Sequence, residues 1–367
     1  MLPAGRAEWS STVVIDFILP YDRSAPARHL WAPAGYVTER PLATIYEVAK
    51  LAGVSPATVS RVFNGNVVSA EKERAVRDAA DRLSYTPNRT ARTLRKQSSE
   101  IIALVIPDIE NPFFTALARG VEDHARMAGY SVVLCNTDDD PDREAHYLDI
   151  AVLENMAGVI IAAASDRSDL TPLLVRRRAV VAVDRGPHRF DVDAVMVDNR
   201  PGGRAATSAL LDQGYRRIAC ITGPADVETA QHRADGWRDA LTERGIRPPL
   251  DYLIHANYRV DGGREAMARL LALDERPDAV FVTNNLMSVG ALQVLFEHGS
   301  SPATFGVAAF GDLPFAALAP TGMTVVHVPA RELGATAATI LIDRINGDRR
   351  AARTVVLRND IEVPRAR

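Results

Sequence analysis

The chain has 367 residues, 47% of them hydrophobic and 24% charged, and a formal net charge of -3; at this length and composition it holds more than one domain around a large core, which excludes disorder for most of it. No window offers the roughly 18 to 20 uninterrupted apolar residues that a membrane helix needs, so no association with a membrane is expected. The two cysteines, Cys135 and Cys220, each lie in an apolar run without CxxC spacing or neighbouring histidines, which points to core thiols in a reducing compartment and not to a disulfide or metal site.

Residues 1–40 are rich in Pro, Ala and Arg, and their apolar run Val13 to Leu19 is short and broken by Asp16. A signal peptide needs a basic start, a longer apolar stretch and a small-residue cleavage site in that order, and the segment lacks them. It reads as a disordered leader, or as translation called from too early a start with Val37 as the true initiator.

Residues 41–100 carry ten Lys/Arg against six acids, whereas residues 101–367 carry a net -7. A small basic module joined to a larger acidic one is the asymmetry expected when only one part meets phosphates. Thr44 and Glu47 have capping-box spacing, and Ile45, Val48, Ala49 and Ala52 make one apolar stripe, which predicts a first helix. Gly53 permits a tight turn, and Ser55 with Pro56 opens a second helix to Phe63. That helix turns Val59, Val62 and Phe63 inward and leaves Pro56, Ala57, Ser60, Arg61 and Asn64 outward. A third, capped by Ser69, is expected from Ala70 to Leu83. The three form a helix-turn-helix over residues 41–86 that lays its second helix in the DNA major groove; a generic three-helix bundle is the alternative that the charge disfavours. Residues 87–100 are basic and too short for a stable isolated helix, so they are either a plain linker or a hinge that folds on DNA with Leu94 as a minor-groove wedge.

From residue 101 to 367, apolar runs alternate with helical stretches: IIALVI, SVVLC, GVIIAA, AVVAVD, then RIACITG, YLIHA, AVFVTN and VAAF. Strands alternating with helices imply parallel sheets, and two successive sets imply two α/β lobes. Ligands of such sheets gather at the carboxyl ends of strands, where Asp108, Asp184, Asp198, Asn199 and Asn284 fall. No GxGxxG, P-loop, GxSxG or metal-ligand cluster is found, and the eight histidines are scattered; no cofactor, no metal and no enzymatic activity are expected.

The run ATIYEVAKLAGVSPATVSRVFNG, followed by LSYTPNRTARTLRKQSSEIIALVIPDIENPFF, resembles the amino-terminal region of the lac repressor and purine repressor family (LacI/GalR). The resemblance continues as spaced landmarks towards the C-terminus, and it implies a core built like the periplasmic sugar-binding proteins. It assigns base reading to Pro56, Ala57 and Arg61, of which the arginine fork suits guanine O6 and N7. Phosphate contacts fall to Thr44, Tyr46, Ser55, Thr58, Ser60 and Asn64, although Thr44 and Ser55 also serve as helix caps. Ala91, Arg92, Leu94 and Arg95 match the minor-groove hinge. The effector cleft would take Asp108, Phe113, Phe114, Asp184 and Arg185 from the first lobe and Arg233, Tyr258 and Asn284 from the second. A core role for Phe113 and a surface position for Arg185 are the plainer alternatives. The chain departs from the family where Ala309-Phe310-Gly311-Asp312 replaces Gly-Phe-Asp-Asp, whose first aspartate often contacts effector, and where Asn285 replaces an aspartate.

The expected function is a cytoplasmic, DNA-binding transcriptional regulator, most simply a repressor in carbohydrate metabolism. It would bind a palindromic operator as a homodimer or a higher assembly, under control of a small-molecule effector such as a sugar. A transport-type solute-binding protein would share the lobes but has no use for residues 44–96, and a sugar-modifying enzyme lacks a catalytic constellation.

Overall fold

The computed structural model describes residues 43–63, 67–85, 99–165, 168–186, 189–313 and 322–364. The leader, Asn64 and the four hinge residues Ala91, Arg92, Leu94 and Arg95 lie outside these. The chain divides into two compact units, residues 1–88 and 89–367.

In the first unit α1 spans Ile45–Ala52, α2 Pro56–Phe63 and α3 Ala70–Arg82. Thr44 caps α1 reciprocally: its hydroxyl accepts the Glu47 N–H at 3.4 Å and its own N–H donates to Glu47 Oε2 at 2.7 Å. Gly53 ends the helix at φ 64°, a left-handed conformation in which a Cβ would be strained. Ser55 accepts from the Thr58 N–H at 3.2 Å to open α2. Ser69 stands at the N-cap of α3, but its hydroxyl makes no cap hydrogen bond, so the expected cap is only positional. Val48, Ala49, Val59, Val62, Val76, Ala79 and Ala80 form the core, with Ile45, Phe63, Leu83 and Tyr85 packed on it.

The second unit holds two sheets. Strands β1 (Ile101–Ile106), β2 (Ser131–Asn136), β3 (Gly158–Ile161), β4 (Ala179–Val183), β5 (Asp193–Val197) and β11 (Thr354–Leu357) make an all-parallel sheet in the order β11-β5-β4-β3-β1-β2. Strands β6 (Ile218–Thr222), β7 (Leu253–His255), β8 (Ala279–Val282), β9 (Gly306–Phe310), β10 (Thr324–His327) and β12 (Asp360–Glu362) make the other, in the order β12-β10-β9-β8-β6-β7, with β12 antiparallel to β10. The central strands β3, β6, β8 and β9 are buried along their whole length, as expected of parallel strands covered by helices on both faces.

The lobes are not two successive sets of strands. Helices α4 (Pro112–Met127), α5 (Pro141–Leu153) and α6 (Thr171–Val175) belong to the first lobe, and α7 (Asn199–Asp212), α8 (Glu228–Glu243), α9 (Val260–Leu271) and α10 (Asn285–Glu297) to the second. After β10 the chain returns to the first lobe as α11 (Ala330–Ile345), whose Leu333, Ala337, Ala338, Ile340 and Leu341 join that lobe's core. It adds β11 there and crosses again to leave β12 on the second sheet. Arg344 locks α11 to β5 through Asp193, with Nε to Oδ2 at 2.6 Å. The α4–α11 approach needs glycine on both helices: a Cβ on Gly120 would stand 2.0 Å from Arg331 O, and one on Gly334 2.1 Å from Leu117 O.

Candidate DNA-reading helix and effector cleft

On α2, Ala57 and Arg61 are exposed and Pro56 is half-buried, on the side opposite the buried Val59 and Val62. Arg61 therefore projects its fork while the helix is anchored from behind. Tyr46 is 72% exposed on α1, far more than packing alone leaves an aromatic. Thr44 and Ser55 stand at the starts of α1 and α2, and Thr58 and Ser60 lie within α2. The Ser55 and Thr58 hydroxyls share a hydrogen bond at 3.0 Å, so Ser55 as the cap and Thr58 in the first turn of α2 would reach a phosphate as a pair.

The eight residues expected in the effector cleft, drawn from six separate segments of the chain, all line one cavity of about 510 Å³, within the range of small-molecule sites. In the first lobe, β1 runs out to Asp108, whose Oδ1 accepts the Glu110 N–H at 2.9 Å. Asn111 caps α4 by accepting the Phe113 N–H at 3.0 Å and so sets Phe113 and Phe114 edge to face, ring centroids 4.9 Å apart. Phe114 is a full member of the lobe's core and Phe113 packs against it, so both serve packing as well as lining.

Asp184 ends β4 at φ 62°, a conformation that aspartate tolerates better than most residues. Asp184 and Arg185 are 5% and 8% exposed, which removes the surface reading of Arg185. Arg185 donates to Asp139 Oδ1 at 2.5 Å; its Nε, 3.9 Å from Asp184 Oδ2, has no hydrogen-bond partner, and neither has Asp184 Oδ1. Orphaned buried polar atoms are rare and call for a reason, and here two fall on neighbours in one cleft. Burial pushes the Asp184 carboxyl above the usual carboxylate range, against the pull of Arg233 and Arg185.

From the second lobe, Arg233 donates from Nε to Asn199 Oδ1 at 2.8 Å and from Nη1 to Thr283 O at 2.9 Å, and lies 4.1 Å over the Phe310 ring. Its Nη2 is 4.0 Å from Asp184 Oδ1, across the cleft. Burial pulls its pKa below the usual value. Tyr258 sits at φ 62° with its hydroxyl 3.2 Å from Thr229 Oγ1. A Cβ on Gly223 would come 2.1 Å from the Tyr258 ring, so this glycine makes the ring's place. Asn284 caps α10, its Oδ1 accepting the Met287 N–H at 2.9 Å. Asn285 Nδ2 donates to Asn111 Oδ1 of the first lobe at 3.1 Å.

Sequence reasoning missed Asp139, Thr229 and Phe310 as cleft residues. Phe310 follows from the strand-end rule that found Asp184, since it closes VAAF, whereas Asp139 lies in the loop beyond the end of β2 at Asn136; nothing in the sequence singles out Thr229.

Residues 99–362 match the family described as "Periplasmic binding proteins and sugar binding domain of LacI family", and residues 44–88 match "Bacterial regulatory proteins, lacI family". The chain belongs to the LacI family of bacterial transcriptional regulators. Among curated LacI-family relatives, the ribose operon repressor of Escherichia coli K12 is 35% identical over 312 residues, covering 83% of this chain and 93% of the relative. The repressor PurR of Mannheimia succiniciproducens is 32% identical over 308 residues, covering 83% of this chain and 92% of the relative. Among solved structures, a CelR–cellobiose complex is 30% identical with a TM-score of 0.66, covering 88% of this chain and 98% of that one. The lac repressor dimer bound to operator and the anti-inducer ONPF shares the fold at a TM-score of 0.76 and 23% identity, covering 87% of this chain and 97% of that one. The family is made of DNA-binding regulators, and among the described residues no helix is long and apolar enough to cross a membrane.

Proposed function

We propose that this LacI-family regulator is a cytoplasmic repressor that binds a palindromic operator as a homodimer, with an affinity set by a hydroxylated small molecule in the cleft. The observation that carries the reading is the convergence of Asp184, Arg185, Arg233, Tyr258 and Asn284, from both lobes, on one cavity that holds two unpartnered buried polar atoms. Carboxylate, guanidinium and amide groups hydrogen-bond hydroxyls, and an aromatic ring covers the apolar face of a sugar. The ribose, purine and cellobiose names among its relatives agree in kind. We assign the cleft to binding and not to catalysis: Asp184 stands among arginines, the surroundings of a hydrogen-bonding group and not of a proton-transferring pair. Arg61 is assigned the guanine-reading role, Pro56 and Ala57 apolar base contacts, and Thr44, Tyr46, Ser55, Thr58 and Ser60 the phosphates. Domain limits are assigned at 41–86, 87–100 and 101–367.

Because both lobes hold the ligand, binding is coupled to lobe geometry and through it to operator affinity. The coupling is reciprocal, so operator must change effector affinity by the factor by which effector changes operator affinity. The test is a fluorescence-anisotropy titration of the full chain on inverted-repeat and scrambled duplexes, with and without a sugar and nucleoside panel. Preference for one inverted repeat, shifted by at least one panel member that also raises the melting temperature, is the expected result. No preference under any condition overturns the reading.

A further inference from the structure

Given that the cleft is the effector site, its two walls differ in what they present. The first lobe brings the carboxylates of Asp108, Asp139 and Asp184 against the guanidinium of Arg185, which Asp139 already pairs. At the mouth Arg331, beside Glu332, is turned to Asp123 at 2.6 Å. The second lobe brings Arg233 and the exposed Arg259, and its carboxylate Asp312 is engaged by His327.

The amide oxygens of the second wall are each taken by a backbone N–H. Asn284 Oδ1 accepts from Met287 at 2.9 Å, Asn285 Oδ1 from Leu286 at 2.8 Å and Asn257 Oδ1 from Arg259 at 3.0 Å. Among the amides and guanidinium of this wall, what remains towards a ligand is donors: Asn284 Nδ2, and Arg233 Nη2, whose ion-pair partner Asp184 is 4.0 Å away, beyond a hydrogen bond. A guanidinium this buried with a stretched counter-charge is costly unless something completes it. Where the family pattern has an aspartate, Gly311 stands, and a Cβ there would meet nothing closer than 3.6 Å. Gly311 thus offers no carboxylate beside Asn285, and Asp184, 4.0 Å away, is the counter-charge that Arg233 has across the cleft.

We infer that the effector is an anionic polyol, with hydroxyls on Asp184 and a carboxylate or phosphate seated on Arg233 and Asn284 Nδ2. A planar guanidinium fork suits either anion, and the open space beside Gly311 leaves it room.

The test is calorimetric titration of the full-length chain with D-ribose, D-ribonate and D-ribose 5-phosphate, and with D-glucose, D-gluconate and D-glucose 6-phosphate. In at least one set an anionic member binds at least tenfold tighter than its neutral sugar, and the carboxylate and phosphate arms identify the anion. A neutral sugar that binds as tightly as both its anions overturns the inference and leaves the effector cleft standing. Silence from all six overturns it as well, and silence from the wider neutral panel then takes the effector reading with it. Arg233→Gln collapses the preference; because Arg233 is also wired into the fold, Gly311→Asp is the second arm, and since φ 93° strains any side chain there, its melting temperature is measured alongside. Gly311→Asp lowers anion affinity at least tenfold and spares the neutral sugar, and an unchanged preference in this variant overturns the inference.

Discussion

The recognition helix and the effector cleft solve opposite problems. On α2 the groups assigned to DNA are turned to solvent, and the residues that hold the helix, Val59 and Val62, are different ones. In the cleft the side chains assigned to effector also hold the fold: Arg233 is wired to Asn199 and Thr283, Asn284 caps α10, and Phe114 is core. On these assignments specificity for DNA separates from stability, whereas specificity for effector does not.

The sharpest way to break that comparison is Arg233→Ala. Removing a buried guanidinium leaves Asp184 without its cross-cleft partner and Phe310 uncovered, at a cost on the order of 3 kcal/mol of unfolding free energy, together with loss of effector response. Chemical denaturation of the full chain measures it, and an unchanged midpoint would put Arg233 outside the structural frame. Arg61→Ala is the contrasting case: it should lose about 1 to 3 kcal/mol of operator affinity and relax specificity at one base position, with stability inside about 0.5 kcal/mol of the parent. Uniform loss over all sequences would instead mark a phosphate contact.

Asn284→Ala lies between the two. It should abolish the response to ligand while leaving operator affinity, and should cost about 1 kcal/mol through the lost cap. Comparing it with Asn284→Asp, which keeps the cap acceptor and removes the Nδ2 donor, separates the roles; equal destabilisation in both variants would show that the cap bond contributes nothing.

The smallest effect concerns His327, at the end of β10 where the chain leaves for α11. Partial burial works against its charged form, but Asp312 and Glu362 hold the imidazolium and raise its pKa above the ordinary value. A pKa raised in the fold stabilises the protein fully below the unfolded value of about 6.5, and that contribution is lost as pH rises through the higher folded value. Melting temperatures between pH 6 and 9 should fall slightly more steeply for the parent than for His327→Gln, and parallel curves would dismiss the triad.

Much of this was legible in the residues because it rests on local rules. The capping box at Thr44 and Glu47, the turn at Gly53 and the apolar stripes of α1 to α3 are decided within a few residues, and the helices fall where those signals predict, except that the Ser69 hydroxyl does not close its cap. Eight apolar runs located strands, a ninth, β5, was implied by Asp198 and Asn199 at a strand end, and the strand-end rule with the family resemblance brought all eight expected cleft residues to one cavity. Strands β10, β11 and β12 were missed, and the interleaving of the lobes with them. TVVH, TVVL and DIE are short runs, only partly buried or exposed at the sheet margins, so they are strands only through partners outside the run: β10 on β9, β12 on β10, and β11 on the far more distant β5.

The sequence alone therefore determined that a basic three-helix module precedes a two-lobed α/β core, because helix caps, charge and periodicity are properties of neighbours along the chain. Only the tertiary structure decided that α11 returns to the first lobe, that Asp184 and Arg185 are left with unpartnered atoms, and that Arg233 faces Asp184 at the limit of an ion pair. Those facts arise from which distant segments meet, and from how much water their meeting excludes.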